Sequence, residues 1–315
     1  MKTWLIIAAA LLLVGLILFA VVMTANGWDF KKLSTTQYVT NTHYVTDSFE
    51  SISIRVDTAD IDFMPSPDGA CKIVCHELDN ERHIVTVENG TLTVSLKQDK
   101  AWYDYVGLQY GTPKITLYLP NNRYGSVSVF GSTGDVNVAD FTFGQCRIDQ
   151  STGDIRLENL IAESLELDVS TGGIYLSGIT CAGDLKATVS TGKMHFGNVT
   201  CKNLISTGST GEYTLKNVVA SEGFSVVRTT GDLEMSDCLA NNFFIKASTG
   251  DVEFERCDAQ EVHIETSTGD VDGSFLTPKI FDTETSTGQV EVPLSGNGGL
   301  CQIKTTTGDI EITIS

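Results

Sequence analysis

A glycine recurs every 19 or 20 residues from residue 134 to the C-terminus, and no other feature of the sequence constrains the fold as tightly. The copies are Gly134, Gly153, Gly172, Gly192, Gly211, Gly231, Gly250, Gly269, Gly288 and Gly308, each preceded by Ser-Thr or Thr-Thr. A period of this length marks a repeat array, in which one supersecondary unit stacks on the next. Aligned on the glycine, apolar residues fill fixed offsets. Two residues after it stand Val136, Ile155, Ile174 and Met194; seven before it stand Val127, Cys146, Leu165 and Leu185. The rows at offsets −7 and −5, and at +2 and +4, alternate with polar residues, so each run reads as a short strand with one face inward. Gly273 breaks the +4 row. One such unit cannot bury its own apolar face and must stack on its neighbours. The expected fold is all-β: a parallel β-solenoid of about ten 19–20-residue coils. Coils rising by about 4.8 Å each would make a rod roughly 50 Å long.

The glycine belongs at a tight turn between two strands, where a positive φ carries no penalty for it. The preceding hydroxyls can bond to nearby backbone and to the same residue one coil away. The residue after the glycine is the chemically distinctive one: Asp135, Asp154, Gly173, Lys193, Glu212, Asp232, Asp251, Asp270, Gln289 and Asp309 in chain order. Asp232, Asp251 and Asp270 fall in consecutive coils, where neighbours repel by about 1 kcal/mol in water. A hard cation bound by oxygen, Ca²⁺ above all, would relieve that. These three aspartates are the candidate metal residues, set against the plainer reading of solvated carboxylates. The spacing is not that of the nonapeptide calcium repeat.

Upstream of the array the chain changes character. Residues 1–3 form a short tail with a single charge, Lys2, expected on the cytoplasmic side. Trp4 to Met23 is an uncharged apolar run, long enough for a membrane-spanning helix at 4–24 and longer than the core of a cleaved signal peptide. An uncleaved anchor is expected. Lys31 and Lys32 on its far side prevent the positive-inside rule from setting the orientation. The layout of one helix followed by a long β-rod points to an extracytoplasmic C-terminal domain. Residues 25–45 read as a polar linker and 46–126 as a β-rich N-terminal cap, with the repeats proper at 127–315.

Within the cap, Phe49 to Phe63 follows the repeat template with Thr58-Ala59-Asp60 in place of Thr-Gly-Asp, a degenerate first coil. Ile84 to Val94 carries a hairpin signal centred on Asn89-Gly90-Thr91. Lys100 to Pro113 has no period and gathers Trp102, Tyr103, Tyr105 and Tyr110. Clustered aromatics in a loop suit stacking on a sugar or peptide, so these four are the candidate ligand-binding residues; folding over the end of the core is the competing reading. At the other end the repeats run to Ser315 without a cap. The last coil is expected to expose an edge open to strand addition or self-association.

The chain has 40 acidic against 21 basic residues, a net charge of −19. An acidic rod does not bind nucleic acid, which needs a basic stripe, and is repelled by anionic lipid. Eight cysteines in an outward-facing domain suggest disulfides, but Cys146 and Cys301 share a core row with Leu and Phe. Cys181 with Cys201, Cys238 with Cys257, and Cys71 with Cys75 are stackable neighbours that serve equally well as small core residues. No CxxC occurs and the five histidines (His43, His76, His83, His195, His263) are scattered, so no zinc-type ligand spacing is visible.

The N-terminal apolar run, Asp57-Thr58-Ala59-Asp60-Ile61, Trp102-Tyr103-Asp104-Tyr105, Pro113-Lys114-Ile115-Thr116 and the Ser-Thr-Gly-Asp ladder together resemble a bacterial family of unknown function labelled candidate adhesins, common in Gram-positive bacteria. The resemblance spans nearly the whole chain and implies a β-solenoid ectodomain behind a membrane anchor. Gly173, Lys193, Glu212 and Gln289 depart from the ladder and count against an ion at every copy. The functional expectation is a membrane-anchored surface or envelope protein that binds a partner, a glycan or itself without catalysis. The alternative is an envelope-stress sensor acting through a membrane partner. A polysaccharide-active enzyme fits less well, because coils without long loops leave no nucleophile–base pair to place.

Overall fold

The computed structural model describes residues 2–29, 37–97, 111–294 and 296–315. An apolar helix, Lys2–Ala25, opens the chain, and its 22-residue stretch Trp4–Ala25 is long and apolar enough to cross a membrane. Among the described residues, all other regular structure is β. The solenoid is parallel and in strict register: Leu165 pairs with Leu185, Ile174 with Met194 and Ile179 with Val199. It makes about nine turns, one fewer than the ten glycines suggest. The turn that carries Gly288 is incomplete, its second strand reduced to Val290–Glu291.

Each coil has three faces rather than the two read from the sequence. The first buries offsets −7 and −5 and continues to −3, where Gln150, Val169, Val189, Arg228 and Ala247 point inward. The second buries +2 and +4. The third buries +7 and +9, with Phe141, Leu160, Ile179, Val199, Val218, Cys238 and Cys257 stacked along the first of these rows. Each large side chain so buried contributes roughly 1.5–3 kcal/mol. All eight cysteines are buried and none is bridged. Arg228 is the odd member of its row, 3% exposed. It lies over the Tyr213 ring at 4.4 Å and donates to the carbonyls of Gly211, Thr230 and Asp232.

Two corners repeat. At the first, the motif glycine has φ between +118° and +152° in every copy. A Cβ there would also strike the carbonyl oxygen of the glycine one coil away, at 1.5 Å for Gly211 and 1.6 Å for Gly192. Glycine is thus required twice over, by conformation and by backbone approach. The second corner, six residues later, is also left-handed: Asp140, Asn159, Gly178, Asn198, Asn217, Asp237 and Arg256 have φ from +50° to +66°. Asp, Asn and Gly tolerate that region. Their side chains bond along the column, Asn159 to Asp140 at 3.1 Å and Asn217 to Asn198 at 2.7 Å. Arg256 replaces the amide with a two-pronged ion pair to Asp237 at 2.8 Å.

Both ends of the rod are interleaved. In chain order the N-terminal strands are β1 (Tyr38–Val45), β2 (Ser51–Arg55), β3 (Asp60–Pro65), β4 (Cys71–Leu78), β5 (His83–Glu88), β6 (Thr91–Leu96), β7 (Lys114–Leu119), β8 (Arg123–Thr133) and β9 (Val136–Ala139). β2 lies between β6 and β8, and β3 between β7 and β9, all parallel. The degenerate coil at 49–63 is therefore a coil, with Ala59 beneath Gly134, but it is the second layer. The outermost parallel layer is β6 with β7, flanked antiparallel by β5 and β4. The β5–β6 hairpin turns at Asn89-Gly90, φ +51° and +74°, as the Asn-Gly signal predicts.

The linker read at 25–45 ends in a strand: β1 pairs antiparallel with β4, which pairs antiparallel with β7. Its inward positions are Val39, Asn41, His43 and Val45, so the apolar alternation that announces a strand is missing.

The C-terminal end departs further from sequence order. The strand Gly299–Thr307 lies between Val252–Thr268 and Lys279–Thr287, and Ile310–Ile314 lies between Val271–Phe275 and Val290–Glu291. The last coil in sequence is inside the stack, and the end coil is 279–291. The open edge expected at Thr305–Ile314 is instead at 279–291, where Ile280 and Val290 are more than two-fifths exposed.

Candidate functional site

The glycine corner carries the candidate metal residues Asp232, Asp251 and Asp270. Along it, the aspartate after each glycine accepts the backbone N–H of its counterpart in the next coil. Asp135 N–H donates to Asp60 at 3.0 Å, Asp154 N–H to Asp135 at 2.9 Å and Gly173 N–H to Asp154 at 2.7 Å. Further along, Asp251 N–H donates to Asp232 at 3.1 Å, Asp270 N–H to Asp251 at 2.9 Å, Asp309 N–H to Asp270 at 2.7 Å and Gln289 N–H to Asp309 at 2.7 Å. One oxygen of each carboxylate thus satisfies a backbone donor the turn would leave unpaired. Asp60, in the degenerate coil, plays the same part. In the middle the column is Gly173, Lys193 and Glu212, and Lys193 pairs with Glu212 at 2.8 Å.

Asp232, Asp251 and Asp270 stand in a file, one per coil, so the first and third are two rises apart, about 10 Å. They do not form a ring of ligands. Their outward oxygens meet no basic side chain among the described residues, whereas Arg156 takes those of Asp135 and Asp154.

Beside this file runs a row the repeat alignment does not draw attention to. On the adjoining face, Glu234 pairs in register with Glu253, Glu253 with Asp272, Asp272 with Glu311, and Glu311 with Glu291. Glu311 joins the row only because the C-terminal coil inserts between 271–275 and 290–291. The same offset in the earlier coils holds Asn137, Arg156, Tyr175, His195 and Thr214, so the acidity is confined to one end. None of the five is in an ion pair among the described residues. The first face of the same coils neutralises itself: Lys246, Glu265, Lys304 and Glu284 alternate in register, with Lys246–Glu265 at 3.0 Å and Lys304–Glu284 at 3.1 Å.

A shallow groove of about 540 Å³ lies on the acidic face, bordered by Glu234, Glu253, Asp272 and Ser274. Gly273 forms its floor beside the Phe254 ring, where a Cβ would come within 2.4 Å. Partial burial, then the charges of Asp270, Glu311, Glu253 and Asp251, raise the Asp272 carboxyl above its ordinary value of 3.8. Above 3.8 the folded chain therefore holds this proton more tightly than the unfolded chain, and stability falls as pH rises through the raised value. Asp272→Asn is expected to raise the melting temperature at neutral pH, with the gain vanishing as pH falls below 3.8. Parallel thermal melts of the two proteins across that range are the check.

Trp102, Tyr103, Tyr105 and Tyr110 lie outside the described residues. The flanks of their stretch are placed. β6 and β7 are the outermost counterparts of β2 and β3, which flank Thr58-Ala59-Asp60. At the far side of the stretch Tyr38 donates to the Gly111 carbonyl at 2.8 Å.

Among the described residues, one group brings three metal-ligating side chains together: Cys75, Glu77 and His83, with donor atoms within 4.8 Å of one another. Sequence reading missed it because Cys75-His76-Glu77 and His83 match no zinc spacing. The signal available was weak, a cysteine and a glutamate two apart on one strand face.

Among curated proteins no relative matches the chain. Solved structures that resemble it include a candidate adhesin from Bacteroides fragilis (17% identity, 88% of this chain and 97% of that one covered, TM-score 0.35). A candidate lipid-binding protein from Parabacteroides distasonis shares 16% identity over 88% of this chain and 96% of its own, with a TM-score of 0.44. A candidate adhesin from the same species shares 12% identity over 89% and 98%, with a TM-score of 0.39. The Toastrack DUF4097 family model matches residues 49–216 and 182–315, which take in every coil of the rod, and the chain belongs to that family.

Proposed function

We propose that this protein is a membrane-tethered, extracytoplasmic binding rod without catalysis, and that it holds an envelope component against the carboxylate face of its C-terminal coils. The observation that carries this reading is the row Glu234, Glu253, Asp272, Glu311 and Glu291, left unneutralised beside the aspartate file while the next face pairs its own charges. Like charges in adjacent register weaken a sheet, by about 1 kcal/mol per neighbouring pair in water. A cationic partner, or Ca²⁺ bridging to an anionic one, removes that repulsion. Asp232, Asp251 and Asp270 border the row and supply further oxygens of the type Ca²⁺ takes. The apolar helix supplies the tether, with the C-terminal rod on the outer side. The end coil 279–291, with an unpaired edge, is where self-association would act.

The test is binding of the full chain in detergent micelles to isolated cell envelope, with and without Ca²⁺. Saturable binding that weakens at least tenfold when Glu253→Gln and Asp272→Asn are combined supports the acidic face. Binding lost instead on replacing Trp102 and Tyr105 moves the function to the aromatic stretch. Absence of binding in both conditions overturns the reading in favour of a sensor that acts through a membrane partner.

A further inference from the structure

We infer that Cys75, Glu77 and His83, brought together in the N-terminal cap by strands β4 and β5, form a binding site for a divalent metal ion of the Zn²⁺ class. All three are deeply buried: Cys75 is 0% exposed, and the side chains of Glu77 and His83 are 1% and 3% exposed. A carboxylate and an imidazole at that depth need partners. Glu77 has three protein donors: the His83 backbone N–H at 2.6 Å, His83 Nδ1 at 2.7 Å and the Asn41 amide at 2.6 Å. His83 does not reach the same satisfaction. Among the described residues its Nε2 is buried without a partner, so these protein contacts leave the imidazole one interaction short.

The donor set identifies the ion. Sulfur, imidazole nitrogen and carboxylate oxygen together suit Zn²⁺ and fit neither Mg²⁺ nor Ca²⁺, which take oxygen. Donor atoms around tetrahedral zinc lie about 3.3–3.8 Å apart, given bonds of about 2.0–2.3 Å. Donors already within 4.8 Å of one another reach this by side-chain rotation. Metal binding would take the Cys75 sulfur as thiolate and release its proton to solvent. Asn41 stands opposite Cys75 on β1 and donates its amide N–H to Glu77, which brings β1 to the edge of the site.

The site has a mechanical consequence. Among the described residues β1 pairs with β4 alone and is the first strand after the apolar helix. An ion held by β4 and β5, with Asn41 bonded to its Glu77 ligand, would fasten this edge strand to the cap, at the place where the chain enters the rod.

The experiment uses the full chain in detergent micelles with Co²⁺ as the probe and Zn²⁺ as competitor. One equivalent of Co²⁺ is expected to give a thiolate-to-cobalt charge-transfer band in the near ultraviolet. Zn²⁺ should abolish it, and Cys75→Ala should lack it while keeping the β-sheet circular dichroism of the parent. A folded protein without the band, or a band undiminished in folded Cys75→Ala, overturns the site. Should Cys75→Ala fail to fold, Glu77→Gln is the second variant. It is expected to weaken Co²⁺ binding at least tenfold, and unchanged binding overturns the proposal.

Discussion

Gly211→Ala is expected to cost the rod at least about 4 kcal/mol, the range reserved for substitutions with no room to relax. Gly211 has φ +141°, and a Cβ built on it would lie 1.5 Å from the Gly192 carbonyl oxygen and 2.6 Å from its carbon. Neither atom can yield, because each belongs to the backbone of the coil next door. Separating the two coils to admit a methyl group would break the parallel pairing of Thr191 with Thr210 and Met194 with Tyr213 on either side of the turn. Gly178→Asn is the matched control. Gly178 also has positive φ, at +66°, but its Cβ would meet the Asn159 side-chain oxygen, which can swing aside. The equivalent positions in flanking coils are already Asn159 and Asn198, with φ +50° and +55°. That substitution should change stability by less than about 1 kcal/mol. Thermal melts of the two variants separate the contributions: a positive φ alone is tolerable to asparagine, and a backbone carbonyl in van der Waals overlap is not. A Gly211→Ala protein that melts within a few degrees of the parent would show that the coils can part more easily than the glycine ladder implies.

Ending the chain at Gly298 is expected to remove two coils, not one. In a solenoid stacked in sequence order the C-terminal coil is a terminal layer, and its loss leaves its neighbour in place. Here Cys301, Ile303, Ile310 and Ile312, each 3% exposed or less, occupy an interior layer. Among the described residues the strands at 279–287 and 290–291 pair only with that layer. The truncated protein should show free hydrogen exchange across 279–291, together with exposure of Val262, Ile264 and Val271. In the full chain the order of protection runs against sequence position: amides of 299–314 should exchange more slowly than those of 279–291. Amides at 279–287 that stay protected after truncation would restore the sequential stacking that the sequence suggests. The same inversion decides the acidic face, since Glu311 lies between Asp272 and Glu291 only in the interleaved order.

The interleaving at the two ends has a common physical logic. A solenoid of identical coils leaves an apolar cross-section and an unpaired strand edge at each end, both costly in water. Seating a segment out of chain order, earlier than its two neighbours at the N-terminus and later than them at the C-terminus, couples the end layer to the interior through two covalent connections instead of one. At the N-terminus the coil at 49–65 is threaded in this way, and at the C-terminus the coil at 299–314. Sealing is incomplete at the C-terminal end, where Ile280 and Val290 remain exposed.

Much of this protein follows from its sequence alone. The period gave the solenoid, because a strand–turn–strand unit with one apolar stripe has no other way to bury it. The glycine column marked the first corner, since only glycine serves where φ is positive and two backbones touch. The apolar run at 4–23 marked the helix. Local chemistry of this kind is written in neighbouring residues and repeats often enough to be averaged. The second corner was equally local: Asp140, Asn159, Gly178, Asn198, Asn217 and Asp237 form a column that alignment displays. It is easily passed over because Asp and Asn are also ordinary surface residues, and their left-handed backbone shows only in the coordinates. Coil order, by contrast, could be decided only by the tertiary structure. Every coil carries nearly the same apolar template, so each is an acceptable neighbour for any other, and the sequence holds no term that prefers one stacking order. The linking loops, and the unequal shapes of the end coils, make that choice. From it come the uninterrupted carboxylate row and the buried 299–314 layer. The meeting of Cys75, Glu77 and His83 was likewise beyond the sequence, because the β4–β5 turn, not a metal-ligand spacing, brings His83 back to its strand neighbours.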